Sequence, residues 1–238
     1  METVKADILA FGAHADDIEI GMGGTAAKYA AAGKKVIFCD LTKAELSSNG
    51  TVASRLAEAK EAASLLGVYE RVGLDLPDRG LFLTEEAIRA VAEMIRRYRP
   101  TVIFAPYEKD RHPDHGACSR IVQEAFFSAG IRKYQTPGHE GAHKASRLYF
   151  YMINGFHHPD FCIDISNFMD RKKQSLRAYE SQFEIGAHSV ATPLTNGYIE
   201  AVEARDRLMG KEVGRTFAEG FLTNVPLVLE QDLIGDLE

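Results

Sequence analysis

Two short clusters in this chain combine imidazoles with carboxylates: Ala13-His14-Ala15-Asp16-Asp17 and His112-Pro113-Asp114-His115. Each follows an apolar, strand-like run, Ile8 to Gly12 in the first case and Thr101 to Ala105 in the second. Neutral imidazole and carboxylate are ligands that zinc accepts, and three protein ligands with one open position distinguish a catalytic site from a closed structural one. His14, one of Asp16 and Asp17, and His115 would supply that set, leaving one carboxylate and His112 for proton transfer. Spacing alone does not say which aspartate binds. Each cluster taken singly also has a structural explanation, because a lone histidine is often a hydrogen-bonded surface residue and Asp114 can serve only as a helix cap. Together, at two strand ends, they point to a metalloenzyme.

The flanking sequence says what must position these groups. The run Ile8 to Gly12 suits a strand buried on both faces. Gly21-Met22-Gly23-Gly24-Thr25 reads as a glycine turn feeding an alanine-rich helix with Gly33 as its C-cap. After the second strand, Asp114 is expected to cap a helix running to Gly130. Two strand–loop–helix units predict an α/β fold, a mostly parallel sheet flanked by helices, with both clusters at carboxyl strand ends where open sheets place ligands. Lys35 to Leu41 reads as a further strand, followed by a helix with Arg55 near its start and an apolar stripe of Leu56, Ala59, Ala63 and Leu66. Thr84 begins another helix, with Glu85 and Glu86 in its first turn and Pro100 as its stop. Phe161 to Ile165 is expected to be a strand, and Asp170 to cap a helix containing Arg177 and Tyr179. Residues 131–146, with Pro137, Gly138 and Gly141, read as a long surface loop that could cover the site.

These residues resemble the PIG-L/LmbE superfamily of zinc-dependent N-acetylglucosamine deacetylases. The similarity rests on AHADDIEIGMGGT, an Arg55-x-x-Glu58 helix ending Leu66-Gly67-Val68, Leu74-Asp75-Leu76-Pro77-Asp78, and HPDH. The late stretches Tyr179 to Phe183 and Phe217 to Phe221 resemble the bacillithiol-pathway branch, which deacetylates N-acetylglucosaminyl-malate. The resemblance implies a Rossmann-like sheet, one Zn2+ per chain with Fe2+ as an alternative ion, and release of acetate from an amino-sugar substrate. It implies His14, Asp17 and His115 as ligands, Asp16 as general base, and His112 as the oxyanion-stabilising imidazole oriented by Asp114. Another N-acetylglucosamine substrate, such as a chito-oligosaccharide, is the alternative. Two departures matter. Ala15 stands where the family usually has proline, and Asp110 stands where mycothiol-pathway relatives carry a tyrosine.

Composition bounds the remaining choices. At 238 residues, with no internal repeat or linker, the chain is expected to form a single deacetylase domain, 1–238. Its three cysteines show no CxxC spacing and argue against a disulfide framework. The absence of a signal-peptide pattern and of any membrane-length apolar run predicts a cytoplasmic enzyme with no membrane partner. A net charge of −6 disfavours nonspecific nucleic-acid binding and gives no global attraction for an anionic sugar. Local cations must therefore read a malate aglycone. Arg55 is the first candidate and Arg111 the second, while Arg55 could instead pair with Glu58 or Asp75. His188, in a polar loop, is a further substrate-contact candidate. A phosphate-binding protein built on Gly21, Gly23 and Gly24 is disfavoured because GMGG is not GxGxxG and Asp16, Asp17 and Glu19 would repel phosphate. A metal phosphoesterase would want a second ion. The apolar tail, Val225 to Leu229 with Leu233 and Ile234, is expected to be a final strand or a subunit contact, which favours a homo-oligomer.

Overall fold

The computed structural model describes residues 4–138, 140–186 and 189–228. In chain order the elements are β1 (Ile8–Gly12), α1 (Asp17–Ala31), β2 (Val36–Thr42), α2 (Val52–Leu66), β3 (Glu70–Leu76), α3 (Glu85–Tyr98), β4 (Val102–Pro106) and α4 (Pro113–Ala129). Then come β5 (Arg147–Tyr151), β6 (Phe161–Asp164), α5 (Met169–Arg177), α6 (Glu180–Phe183), α7 (Tyr198–Glu212) and β7 (Ala218–Leu222). The strands form one seven-stranded sheet in the order β3-β2-β1-β4-β5-β7-β6. Strands β1 to β5 pair in parallel, and β7 runs antiparallel between β5 and β6. The expected mostly parallel α/β sheet is present.

Both faces of the sheet are covered, so the central strands are apolar throughout. Leu9 and Phe11 of β1 enter a core with Val91, Ile95, Ile121 and Val122 from α3 and α4. Ile8 and Ala10 enter the opposite core with Ile18, Ala62, Leu66 and Leu176 from α1, α2 and α5. Burying each such side chain contributes about 1.5–3 kcal/mol.

Four readings change. The glycine run does not form a turn: it lies inside α1, which kinks at Met22 (φ −148°, ψ 23°). Glycine is needed there for close packing, since a Cβ on Gly21 would lie 2.0 Å from Tyr151 Cδ2 and one on Gly24 2.7 Å from Ile165 Cδ1. Leu56 is 51% exposed, and Arg55 takes the inward position on α2 instead. Residues 131–146 do not cover the site. The described residues of this segment follow α4 at the amino ends of the strands, where buried Arg96 donates to the carbonyls of Ala129, Ile131, Tyr134 and Glu140 at 2.8–3.3 Å. Finally, Val225 to Val228 form no strand, and Val225 and Val228 are exposed; Leu229, Leu233 and Ile234 lie outside the described residues.

Candidate active site

The first cluster occupies the turn between β1 and α1. Asp16 adopts φ 109° and ψ −27°, a left-handed backbone that non-glycine residues rarely take and that costs about 1–3 kcal/mol. Three contacts hold the turn. The His14 N–H donates to Asp17 Oδ2 at 2.9 Å, while Arg55 Nη2 donates to the Ala15 carbonyl and lies 3.3 Å from Asp16 Oδ2. Arg55 is 2% exposed and packs over the Tyr179 ring, so its partner is Asp16 rather than Glu58 or Asp75. Glu58 instead accepts from Ser181, and Asp75 pairs with Lys43.

The second cluster begins α4, and it differs from expectation in its cap. His112, not Asp114, is the N-cap residue: its Nδ1 accepts the Asp114 backbone N–H at 3.3 Å, and Pro113 follows at the first helical position, where no donor is needed. The Asp114 carboxylate makes no hydrogen bond to the His112 ring. It accepts from Arg79 N at 2.8 Å and Arg79 Nη1 at 2.7 Å, and lies 3.5 Å from His14 Nε2. Asp114 therefore orients His112 through its main chain.

The two clusters converge. His115 Nε2 lies 3.1 Å from Asp17 Oδ1, and His14 Nδ1 lies 3.7 Å from Asp17 Oδ2. The His14 and His112 rings meet edge-on at 4.8 Å, and His112 stacks on His115 at 4.8 Å. Nitrogen atoms of His14, His112 and His115 lie within 4.8 Å of one another, as do ligand atoms of His14, Asp78 and Asp114. Imidazole nitrogens and carboxylate oxygens crowded together at a cavity floor fit a divalent ion of the zinc type.

Electrostatics divides the groups by role. Burial, opposed by Arg55 and reinforced by Asp17, pushes the Asp16 carboxyl up to about 7. Burial also acts on Asp17, but the charges of His115 and His14 outweigh it and hold that carboxyl well below the usual range. His115 is desolvated, yet Asp17 and Asp110 raise it to about 9. His112 moves the other way, lowered by burial and by the charges of His14 and His115. The charges of Asp17 and Asp114 favour its imidazolium form, but burial and the two neighbouring imidazoles outweigh them.

A cavity of about 270 Å³ opens above this floor. Its floor includes His14, Asp16, Asp17, His112 and His115, and its walls include Arg55, Arg111, Asn154, Gln182 and Tyr198. Arg111 is exposed at the mouth. His188 lies outside the described residues.

Residues 9–126 match the model of the PIG-L family, described as GlcNAc-PI de-N-acetylase. A diacetylchitobiose deacetylase from Thermococcus kodakarensis is 30% identical over 228 residues, spanning 90% of this chain and 81% of its own. The chain belongs to the PIG-L deacetylase family. Among solved structures, a conserved protein from Thermus thermophilus superposes with a TM-score of 0.86 at 38% identity, covering 94% of this chain and 97% of its own. A 4-carboxy-2-hydroxymuconate hydratase from Pseudomonas putida shares the fold, with a TM-score of 0.74 at 23% identity and coverage of 94% and 98%. The PIG-L fold by itself therefore does not specify amide hydrolysis.

Within this PIG-L site, sequence reasoning missed three residues. Asp110 accepts from the His112 N–H and from Asn154, and its Oδ1 is 2.9 Å from His115 Nδ1, a charge contact rather than an aligned hydrogen bond. Its signal was present, because a metal-binding histidine usually offers its second nitrogen to a carboxylate and Asp110 stands five residues before His115. Asp78 lies 3.3 Å from His14 Nε2, a pairing across 64 residues that no local spacing announces. Tyr198, at the start of α7, reaches Asn154 Oδ1 at 3.0 Å and was equally hidden.

Proposed function

We propose that this protein is a zinc-dependent N-deacetylase, a single domain spanning 1–238, which hydrolyses the acetamide of an N-acetylglucosamine conjugate to acetate and a free amine. One observation carries the reading: Asp16, a buried carboxyl with a proton affinity near neutrality, stands beside the Asp17–His14–His115 group on the floor of a cavity. A divalent ion held by His14, Asp17 and His115 would supply Lewis acidity, lowering the pKa of bound water from about 15.7 toward about 7. Fe2+ suits the same donors.

The chain's own residues do the rest. Asp16 accepts the proton of the attacking water and returns it to the departing amine, work suited to a group titrating near the operating pH. His112 keeps Nδ1 as an acceptor, which leaves Nε2–H to donate to the oxyanion as a neutral imidazole. Asp114 fixes that ring through its backbone N–H.

For the substrate, exposed Arg111 in the cavity lining favours a negatively charged aglycone. N-acetylglucosaminyl-malate, a bacillithiol precursor, is the first candidate. The likeness to a chitobiose deacetylase favours a chito-oligosaccharide as the second. The test is acetate release from N-acetylglucosaminyl-malate, chitobiose and free N-acetylglucosamine. Preference for the malate glycoside supports the first reading, and turnover of none of the three defeats the deacetylase assignment. One bound ion per chain is expected, whereas two would favour a phosphoesterase. We further infer a cytoplasmic homo-oligomer. Among the described residues no helix is long and apolar enough to cross a membrane.

A further inference from the structure

Each histidine of the expected ligand set turns one ring nitrogen toward Asp17 and the other toward a different carboxylate. His115 places Nε2 near Asp17 and Nδ1 2.9 Å from Asp110 Oδ1. His14 places Nδ1 near Asp17 and Nε2 3.3 Å from Asp78 Oδ1. The arrangement is mirrored around one acidic ligand.

We propose that Asp78 and Asp110 are paired positioning carboxylates that select which nitrogen each histidine offers to the ion, Nδ1 from His14 and Nε2 from His115. The inference rests on the metal centre proposed above. A carboxylate beside the second ring nitrogen, hydrogen-bonded at His14 and in close charge contact at His115, favours the proton on that nitrogen and raises the basicity of the ligating one.

Both carboxylates are held without any ion. Asp78 Oδ2 accepts the Leu46 N–H at 2.9 Å, leaving Oδ1 for His14. Asp110 takes the N–H of His112 and both donors of Asn154 at 2.8–2.9 Å. Asp114, also near His14 at 3.5 Å, is the weaker candidate because Arg79 already occupies both of its oxygens. One consequence is particular to Asp78. It joins His14 to Leu46 of the cavity wall, so the β2–α2 loop bears directly on a metal ligand.

The experiment uses zinc-loaded wild type, Asp78→Asn, Asp110→Asn and Asp78→Glu, stripped by graded chelator, with visible spectra of the Co2+-substituted forms. An asparagine at position 78 cannot serve both neighbours, because with its oxygen toward His14 its amide would face the Leu46 N–H donor to donor. Both Asn variants should bind zinc about 10–100-fold more weakly. Their cobalt spectra should shift, their melting before loading should stay close to wild type, and Asp78→Glu should recover part of the affinity. Wild-type affinity and spectrum in both Asn variants would overturn the proposal. A His115→Ala variant that retains wild-type zinc would overturn instead the metal centre on which it rests.

Discussion

The cavity floor and the cavity rim are built on opposite principles. On the floor, His14, Asp16, Asp17 and His115 are each 9% exposed or less and His112 is half-buried, and their partners come from the turns after β1, β3 and β4 and from α2. At the rim, Leu46 is 64% exposed and Arg111 lies in solvent. Behind it, buried Asn49 ties in the chain at Val190: its Nδ2 donates to the Val190 carbonyl at 2.9 Å while its Oδ1 accepts the Val190 N–H at 2.8 Å. Charge on the floor is set before substrate arrives, where it is most effective because nothing must reorganise during reaction. Leu46 and Arg111 at the rim are exposed, so on the proposed reading they bear on which substrate enters rather than on how fast it reacts.

The largest effect tests the floor. Asp16→Asn keeps shape but cannot accept a proton at neutral pH, so kcat should fall at least about 10²-fold while metal content persists. His115→Ala should lose most of the metal along with activity, as elemental analysis would record. Metal loss in Asp16→Asn would mean that the two aspartates exchange roles.

Arg55 decides where floor ends and rim begins. Removing it leaves Asp16 buried beside Asp17 with no compensating cation, and breaking a buried pair costs about 3–5 kcal/mol. Arg55→Ala should therefore lower kcat for neutral and anionic substrates alike and reduce thermal stability. A rise confined to KM for the malate glycoside would return Arg55 to the substrate-contact role its position in the sequence suggests. Arg111→Ala should show that second pattern: KM for the anionic conjugate up about tenfold, equivalent to about 1.4 kcal/mol, with kcat and the neutral substrate nearly unchanged. Equal effects on both substrates would remove it from aglycone recognition.

The smallest effect concerns pH. His115 is raised to about 9 in the folded, metal-free protein, above its unfolded value near 6.5. Its contribution to stability is therefore fully present below about 6.5 and is lost as pH rises through about 9. Metal binding needs the deprotonated ring, so zinc affinity should rise across the same window while the metal-free protein melts a few degrees lower, at about 2–4 °C per kcal/mol. Chelator competition and thermal scans at pH 6.5 and 9.5 would check both, and parallel rather than opposed trends would refute the assignment.

Much of the floor was legible because it is local. Strands β1 and β4 are short apolar runs, α3 is bounded by Thr84 and Pro100, and each acid-histidine cluster spans only a few residues. What escaped was set by long-range packing. Only Tyr151, 130 positions along the chain, explains why Gly21 lies in a helix, and only the His14–Asp78 pairing reveals the outer carboxylate. Arg55 reads from the sequence as a substrate contact or a partner of Glu58 or Asp75, because the buried Asp16 that claims it lies 39 residues away. The 131–146 segment reads as a surface loop able to cover the site, yet counting elements puts it elsewhere: a helix that starts above the carboxyl ends of the strands must finish below their amino ends.

The left-handed turn at Asp16 has a bearing on anyone who would engineer this protein. A glycine there would adopt the same backbone without penalty, and the stored 1–3 kcal/mol, about the size of a useful stabilising substitution, would be released into the folded state. The same change would strip buried Arg55 of its carboxylate partner, a loss of about 3–5 kcal/mol that outweighs the relief, and on the proposed mechanism it would remove the general base. The strained turn is thus held in place by the ion pair its side chain makes, and a library screened for thermal tolerance would retain aspartate at position 16.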